Sequence, residues 1–289
     1  MIIPYFDVKS DVRIRVHHFT PNAEKNSPVL VFCHPTGFCS LVYASVVAHL
    51  RGFNVFGIDF RSHGYSERGN VENWSGFAAD LDAAFAEIKL QTKNEKFIGV
   101  GISSGSSAHI LNAEKNPSLY AGLYLCEPIL FPPGADLTAR DQLAKSARKR
   151  KNTFGSADEA FINYTTKGGL SALSSSAIAL FCTHGFEPKG DEINLRCKRE
   201  DEEAIYLSGS ANGVFDALHS IQSKSKIIYG EFSNTINKQS AQFIADQMND
   251  ASIEEMHSTG HFTLLEDPYQ GAKSISAFIA DIGLETLSS

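Results

Sequence analysis

The chain has 289 residues, 43% of them hydrophobic and 20% charged, a composition that can bury a full core and is not that of a disordered chain. Its 33 acidic residues outnumber the 26 basic ones, for a formal net charge of −7, which argues against a nucleic-acid partner held by phosphate neutralisation. The five cysteines (Cys33, Cys39, Cys126, Cys182 and Cys197) are odd in number and lack metal-ligand spacing, so we expect no disulfide framework, no metal site and a reducing compartment. The stretch Met1 to Asp7 lacks a basic region followed by an apolar run, and no apolar stretch approaches the roughly 20 residues that span a bilayer. We expect a cytoplasmic protein with no membrane partner.

In chain order, the first pair of alternating segments is Tyr5 to Lys9 and Val12 to His18, separated by Ser10-Asp11; it reads as an antiparallel hairpin at a sheet edge. Short runs follow at Val29 to Cys33, Val55 to Ile58, Phe97 to Val100, Gly122 to Cys126, Ile227 to Tyr229 and Ile253 to Met256. They are apolar on both faces, as parallel strands covered by helices must be. Between them, Trp74, Phe77, Leu81, Phe85 and Ile88 fall on one helical face. A further helix is expected after Ser103, and another from about Pro268 to Ile282 carries Ala272, Ile275, Phe278 and Ile279 toward the sheet. The fold class is α/β, a mostly parallel sheet flanked by helices.

The strand starts near 122 and 227 are far too distant for one crossover, so the intervening stretch is expected to be an insertion with its own helices. We place the core at residues 1–130 and 223–289 and the helical lid at 131–222. Within the lid, Lys145 to Lys151 is a basic run that reads either as a solvated helix face or as an attractor for an acidic substrate. Phe131, Phe154, Phe161, Phe181 and Phe186 read as the lid's core or as the wall of an apolar pocket.

Gly101-Ile102-Ser103-Ser104-Gly105 is a G-x-S-x-G pattern that begins where a strand ends and a small-residue helix starts. In that setting the glycines allow the sharp turn that holds a serine hydroxyl above the sheet. Three more segments stand in order with it: His34-Pro35-Thr36-Gly37, Asp59 to Ser66, and Gly260-His261-Phe262. Together the four segments resemble the α/β-hydrolase superfamily across about residues 28 to 268, with departures at Pro35 and Ser62, where glycines are usual.

The resemblance implies a serine hydrolase acting on a carboxylic ester or related acyl bond of a small molecule, with no cofactor. Ser103 is the implied nucleophile and His261 the base. The implied oxyanion donors are the Ser104 N–H and one from the His34 loop. Pro35 has no N–H, leaving Thr36, with Gly37 as runner-up. The position where the superfamily usually carries its acid is Ser233, which cannot ionise. Glu127, directly after four apolar residues at the end of its strand, is the expected acid instead, with Glu231 as the alternative. His34, His63 and His109 are expected to brace or pack. Lactone hydrolysis, carbon–carbon bond hydrolysis and a non-catalytic small-molecule receptor are the other readings compatible with these residues.

Overall fold

The computed structural model describes residues 3–167, 169–209 and 213–284. Met1, Ile2 and residues 285–289, together with 168 and 210–212 of the expected insertion, lie outside the described residues. The chain opens with β1 (Tyr5–Lys9) and β2 (Arg13–His18), the expected antiparallel hairpin. Next come β3 (Val29–Cys33), the short α1 (Ala44–Val47), β4 (Asn54–Asp59), α2 (Ser75–Thr92), β5 (Phe97–Ile102), α3 (Ser104–Lys115) and β6 (Tyr120–Cys126).

The insertion carries α4 (Thr138–Lys149), β7 (Thr153–Phe154), α5 (Ala157–Thr166), α6 (Ser175–His184), β8 (Phe186–Lys189), β9 (Glu192–Leu195), α7 (Arg199–Ser208) and α8 (Val214–Ala217). The chain then returns through β10 (Ser225–Gly230), α9 (Lys238–Asp246), β11 (Ala251–Met256), α10 (Thr263–Glu266) and α11 (Pro268–Asp281).

Eight strands form one sheet in the order β1-β2-β4-β3-β5-β6-β10-β11. The β1–β2 and β2–β4 pairings are antiparallel, and β4, β3, β5, β6, β10 and β11 pair in parallel. The order reverses at β3, whose neighbours are β4 and β5, and the carboxyl ends of strands beside such a reversal are where open α/β sheets place their sites. Strands β3, β4 and β5 are buried along their whole length, which explains their apolar character on both faces.

Each face of the sheet packs a separate core. On one, Val29, Val31 and Phe56 meet Phe77, Leu81, Phe85 and Ile88 of α2, together with α3 and α9. On the other, Leu30, Phe32, Val55 and Val100 meet Ile275, Phe278 and Ile279 of α11, and that core continues into Phe154, Phe181 and Phe186 of the insertion.

The insertion is more than helical. It contains a small antiparallel sheet, β7-β9-β8, turned at Gly190, which takes a positive φ of 63°. Phe154, Phe181 and Phe186 pack ring against ring within it, so of the two readings of these phenylalanines the structure favours a core within the insertion. Its last helix, α8, lies against α3 of the main sheet, with Val214 and Ala217 buried there.

Candidate active site

Four strand ends bring the candidate residues together at the carboxyl edge of the sheet. At the end of β5, Ser103 stands at φ 57° and ψ −123°, a strained conformation for a residue with a Cβ. Two contacts hold it there. The Ser103 N–H and the Ser106 hydroxyl both donate to the carbonyl oxygen of Cys126, each at 2.9 Å, so the turn after β5 is pinned to the end of β6.

The glycines fit because nothing larger can. A Cβ on Gly105 would collide with the Cys33 carbonyl oxygen, and one on Gly101 with the Ser106 backbone nitrogen. Helix α3 starts at Ser104, and its first N–H groups have no intrahelical acceptor and point their positive end at the turn.

One residue past the Cys126 carbonyl lies Glu127, fully buried and at a positive φ of 48°. Its carboxylate is met by three donors: the Gly230 N–H at 2.8 Å on Oε1, and the Ser233 hydroxyl at 2.7 Å and His261 Nδ1 at 3.2 Å on Oε2. A buried carboxylate needs such partners, since an isolated charge in an apolar surrounding is strongly disfavoured. With Nδ1 donating to Glu127, the other ring nitrogen of His261 is left as an acceptor, and it makes no hydrogen bond among the described residues. No hydrogen bond joins His261 to Ser103 among the described residues either; in ligand-free structures such contacts are often longer than in the reacting complex.

The alternative acid is elsewhere. Glu231 accepts from the Ser258 N–H at 2.8 Å and faces His257 at 3.6 Å, with no hydrogen bond or ion pair to His261 among the described residues. Ser233, the position from which a carboxylate is missing, supports the carboxylate of Glu127 as a donor, and its own oxygen accepts from the N–H groups of Thr235 and Ile236. Only the spacing of Ser233 from Gly230 hinted at this role along the chain.

The loop after β3 lies beside the start of α3, where the Thr36 hydroxyl donates to Ser104 Oγ at 2.9 Å. Gly37 drops out as the runner-up oxyanion donor because its N–H already donates to His63 Nε2 at 3.1 Å. His63 in turn bonds the Arg61 carbonyl through Nδ1, while His34 accepts from the Phe60 N–H and bonds the Pro35 carbonyl. Both therefore brace loops, as their positions suggested. Burial keeps them neutral: the pKa of His63 falls to about 4 and that of His34 is lowered. His109 is packed inside α3 against Val31 and Tyr120, and burial lowers its pKa to about 4 as well.

An aromatic wall runs from His261 to the insertion. Phe262 follows the histidine, its ring 5.2 Å from Phe38, which lies 4.9 Å from Phe181 of α6. The basic run splits in the structure. Arg148 pairs with Glu200 and Glu203 on the exposed surface, and Lys151 with Glu159, as a solvated face would. Arg150 turns inward to Glu202 at 2.8 Å. Periodicity could not reveal this, because Arg150 caps α4 outside its regular turns.

Among the described residues there is no group of three or more His, Cys, Asp or Glu side chains placed to hold a metal ion, and no helix long and apolar enough to cross a membrane.

Residues 24–159, a little under half of the chain, match the family described as serine aminopeptidase, S33. No curated protein sequence matches at a significant level. Solved structures similar to this chain over nearly its whole length are numerous. An E-2-(acetamidomethylene)succinate hydrolase is 17% identical with a TM-score of 0.84, over 96% of this chain and 100% of that one. A peroxisomal α/β-hydrolase of Saccharomyces cerevisiae is 17% identical with a TM-score of 0.79, over 96% and 84% of the two chains. A thermophilic esterase of Thermogutta terrifontis is 17% identical with a TM-score of 0.71, over 96% and 99%. The sheet order, the turn at Ser103 and these likenesses agree with the motifs read along the sequence: the chain has the α/β-hydrolase fold.

Proposed function

We propose that the protein is a serine hydrolase that cleaves a carboxylic ester or related acyl bond of a small molecule through a covalent acyl-enzyme. The observation that carries this reading is the contact of His261 with a fully buried carboxylate, Glu127, which is tied through Cys126 to the strained turn that bears Ser103.

In the proposed reaction the unprotonated nitrogen of His261 takes the Ser103 hydroxyl proton as Oγ attacks the substrate carbonyl. Glu127 holds the ring in the tautomer this needs and stabilises the imidazolium that forms. The N–H groups of Thr36 and Ser104 receive the negative charge that develops on the carbonyl oxygen. His261 then returns its proton to the leaving group, and a water molecule, deprotonated by the same ring, releases the acid from Ser103. We read residues 131–222 as the lid over this cleft, supported by the contact of Phe181 with Phe38 beside the Thr36 loop. A receptor without turnover has no use for both a strained serine and a carboxylate-oriented imidazole after the strand ends of one sheet.

Turnover of a panel of short and long p-nitrophenyl esters and lactones tests the reading. Ser103→Ala and His261→Ala are each expected to lower kcat by several orders of magnitude with the fold retained. Full activity in Ser103→Ala refutes it.

A further inference from the structure

Arg150 is the one member of the basic run that reaches the Thr36 loop. A Cβ placed on Gly37 would sit 3.0 Å from Arg150 Nη1 and 3.0 Å from Glu202 Oε1, so the ion pair lies directly on the residue that follows Thr36. The guanidinium carbon is 5.7 Å from the ring of Phe181, which leads through Phe38 and Phe262 to His261. Arg150 thus occupies the angle between the loop proposed to bind the oxyanion and the aromatic wall that ends at the proposed base.

Among the described residues its hydrogen-bonding capacity is largely unused. Of five N–H donors, one reaches Glu202 at 2.8 Å and one makes a long contact of 3.4 Å to the Tyr164 hydroxyl. The side chain keeps 18% of its surface exposed, whereas that of Glu202 keeps 7%. Beside it, Arg199 donates to the Arg150 carbonyl, makes no ion pair among the described residues, and has a buried Nε without an acceptor. The Arg150 guanidinium therefore keeps donors that no group among the described residues takes up, in a planar fork that matches a carboxylate.

We propose that Arg150 recognises a carboxylate on the substrate, so that the preferred substrates are small acyl compounds carrying a free acid group near the scissile bond. This rests on the hydrolase reading above and narrows it. Glu202 holds the guanidinium in place and competes with the incoming carboxylate, which sets the two residues apart: a purely structural pair loses function when either member is changed, whereas a recognition pair responds in opposite directions.

The test compares hydrolysis of monoethyl succinate, monoethyl glutarate and the acetate ester of glycolic acid with that of neutral esters of matched length. The expected wild-type preference in kcat/KM for at least one acid is about ten-fold or more, the scale of a hydrogen bond to a charged group. Arg150→Met is expected to abolish the preference, and Glu202→Gln to increase it. Because Arg150→Met leaves Glu202 buried without its partner, the double variant Arg150→Met/Glu202→Met provides the same reading in a neutral pocket. Slowing of fluorophosphonate labelling by free glutarate, lost in the double variant, is the expected second readout. Equal rates on acidic and neutral esters, or a preference that survives in the double variant, overturns the inference while leaving the hydrolase reading intact. Absence of both turnover and labelling overturns the hydrolase reading and this inference with it.

Discussion

Replacing Glu127 by Gln isolates the charge of the proposed acid with little change of shape. The carboxylate accepts three hydrogen bonds with two oxygens, and an amide offers one oxygen and one NH2 group. If the amide oxygen faces Ser233 and His261, the NH2 group points at the Gly230 N–H, donor against donor. If it is reversed, the NH2 group meets His261 Nδ1 and drives the ring to the tautomer whose outer nitrogen carries a proton and cannot accept one from Ser103.

Either arrangement removes the negative charge that stabilises the imidazolium. For a buried acid of this kind the expected loss in kcat is about 10³–10⁴-fold, with KM little changed because Glu127 does not touch substrate. An unsatisfied buried donor also costs about 1–3 kcal/mol, so Tm is expected to fall by roughly 2–4 °C for each kcal/mol lost. Initial rates on a p-nitrophenyl ester, with circular dichroism melting of the same sample, measure both. An active Glu127→Gln protein together with an inactive Glu231→Gln protein refutes the assignment.

Other consequences follow from the same contacts. His63 and His109 are buried neutral with pKa values of about 4, below the usual 6.5. The unfolded chain binds their protons first, so their contribution to stability is complete above about pH 6.5 and is lost as pH falls toward 4, up to ~3 kcal/mol for each; a Tm that stays flat from pH 7.5 to 4.5 contradicts their burial. Gly105→Ala is expected to prevent folding or cost several kcal/mol, because its Cβ meets the Cys33 carbonyl, whereas Gly169→Ala, with open space around it, is expected to be neutral by thermal melting. Thr36→Ala keeps its backbone N–H and loses only the hydroxyl bonded to Ser104, so kcat is expected to fall by no more than about ten-fold; a loss of 10³-fold or more shows that the side chain is the donor.

Much of the framework was legible because it depends on local pattern. Runs buried on both faces, such as Val29 to Cys33 and Phe97 to Val100, leave no ambiguity of period, and the five residues from Trp74 to Ile88 all lie on the buried side of α2 and its cap. Ser103, Glu127 and His261 were readable as strand-end residues, and the fold supplies what a linear pattern lacks: Glu127 and His261, 134 positions apart, meet at 3.2 Å. The small sheet β7-β9-β8 was missed because its strands are two to four residues long and depend on tertiary packing; Gly190-Asp191 between Phe186 to Lys189 and Glu192 to Leu195 was the available turn signal. The inward turn of Arg150 had no such signal. It follows from the position of Gly37 and Glu202, which only the folded chain brings to it.

The proposed reaction depends on an activated Ser103 hydroxyl. Its most direct test is treatment of the folded protein with a fluorophosphonate, followed by intact-mass measurement and peptide mapping. One adduct per chain is expected, on Ser103, absent from Ser103→Ala and slowed sharply in His261→Ala. A folded wild-type protein that gains no adduct, or gains it on another residue, contradicts the role of Ser103 as the nucleophile.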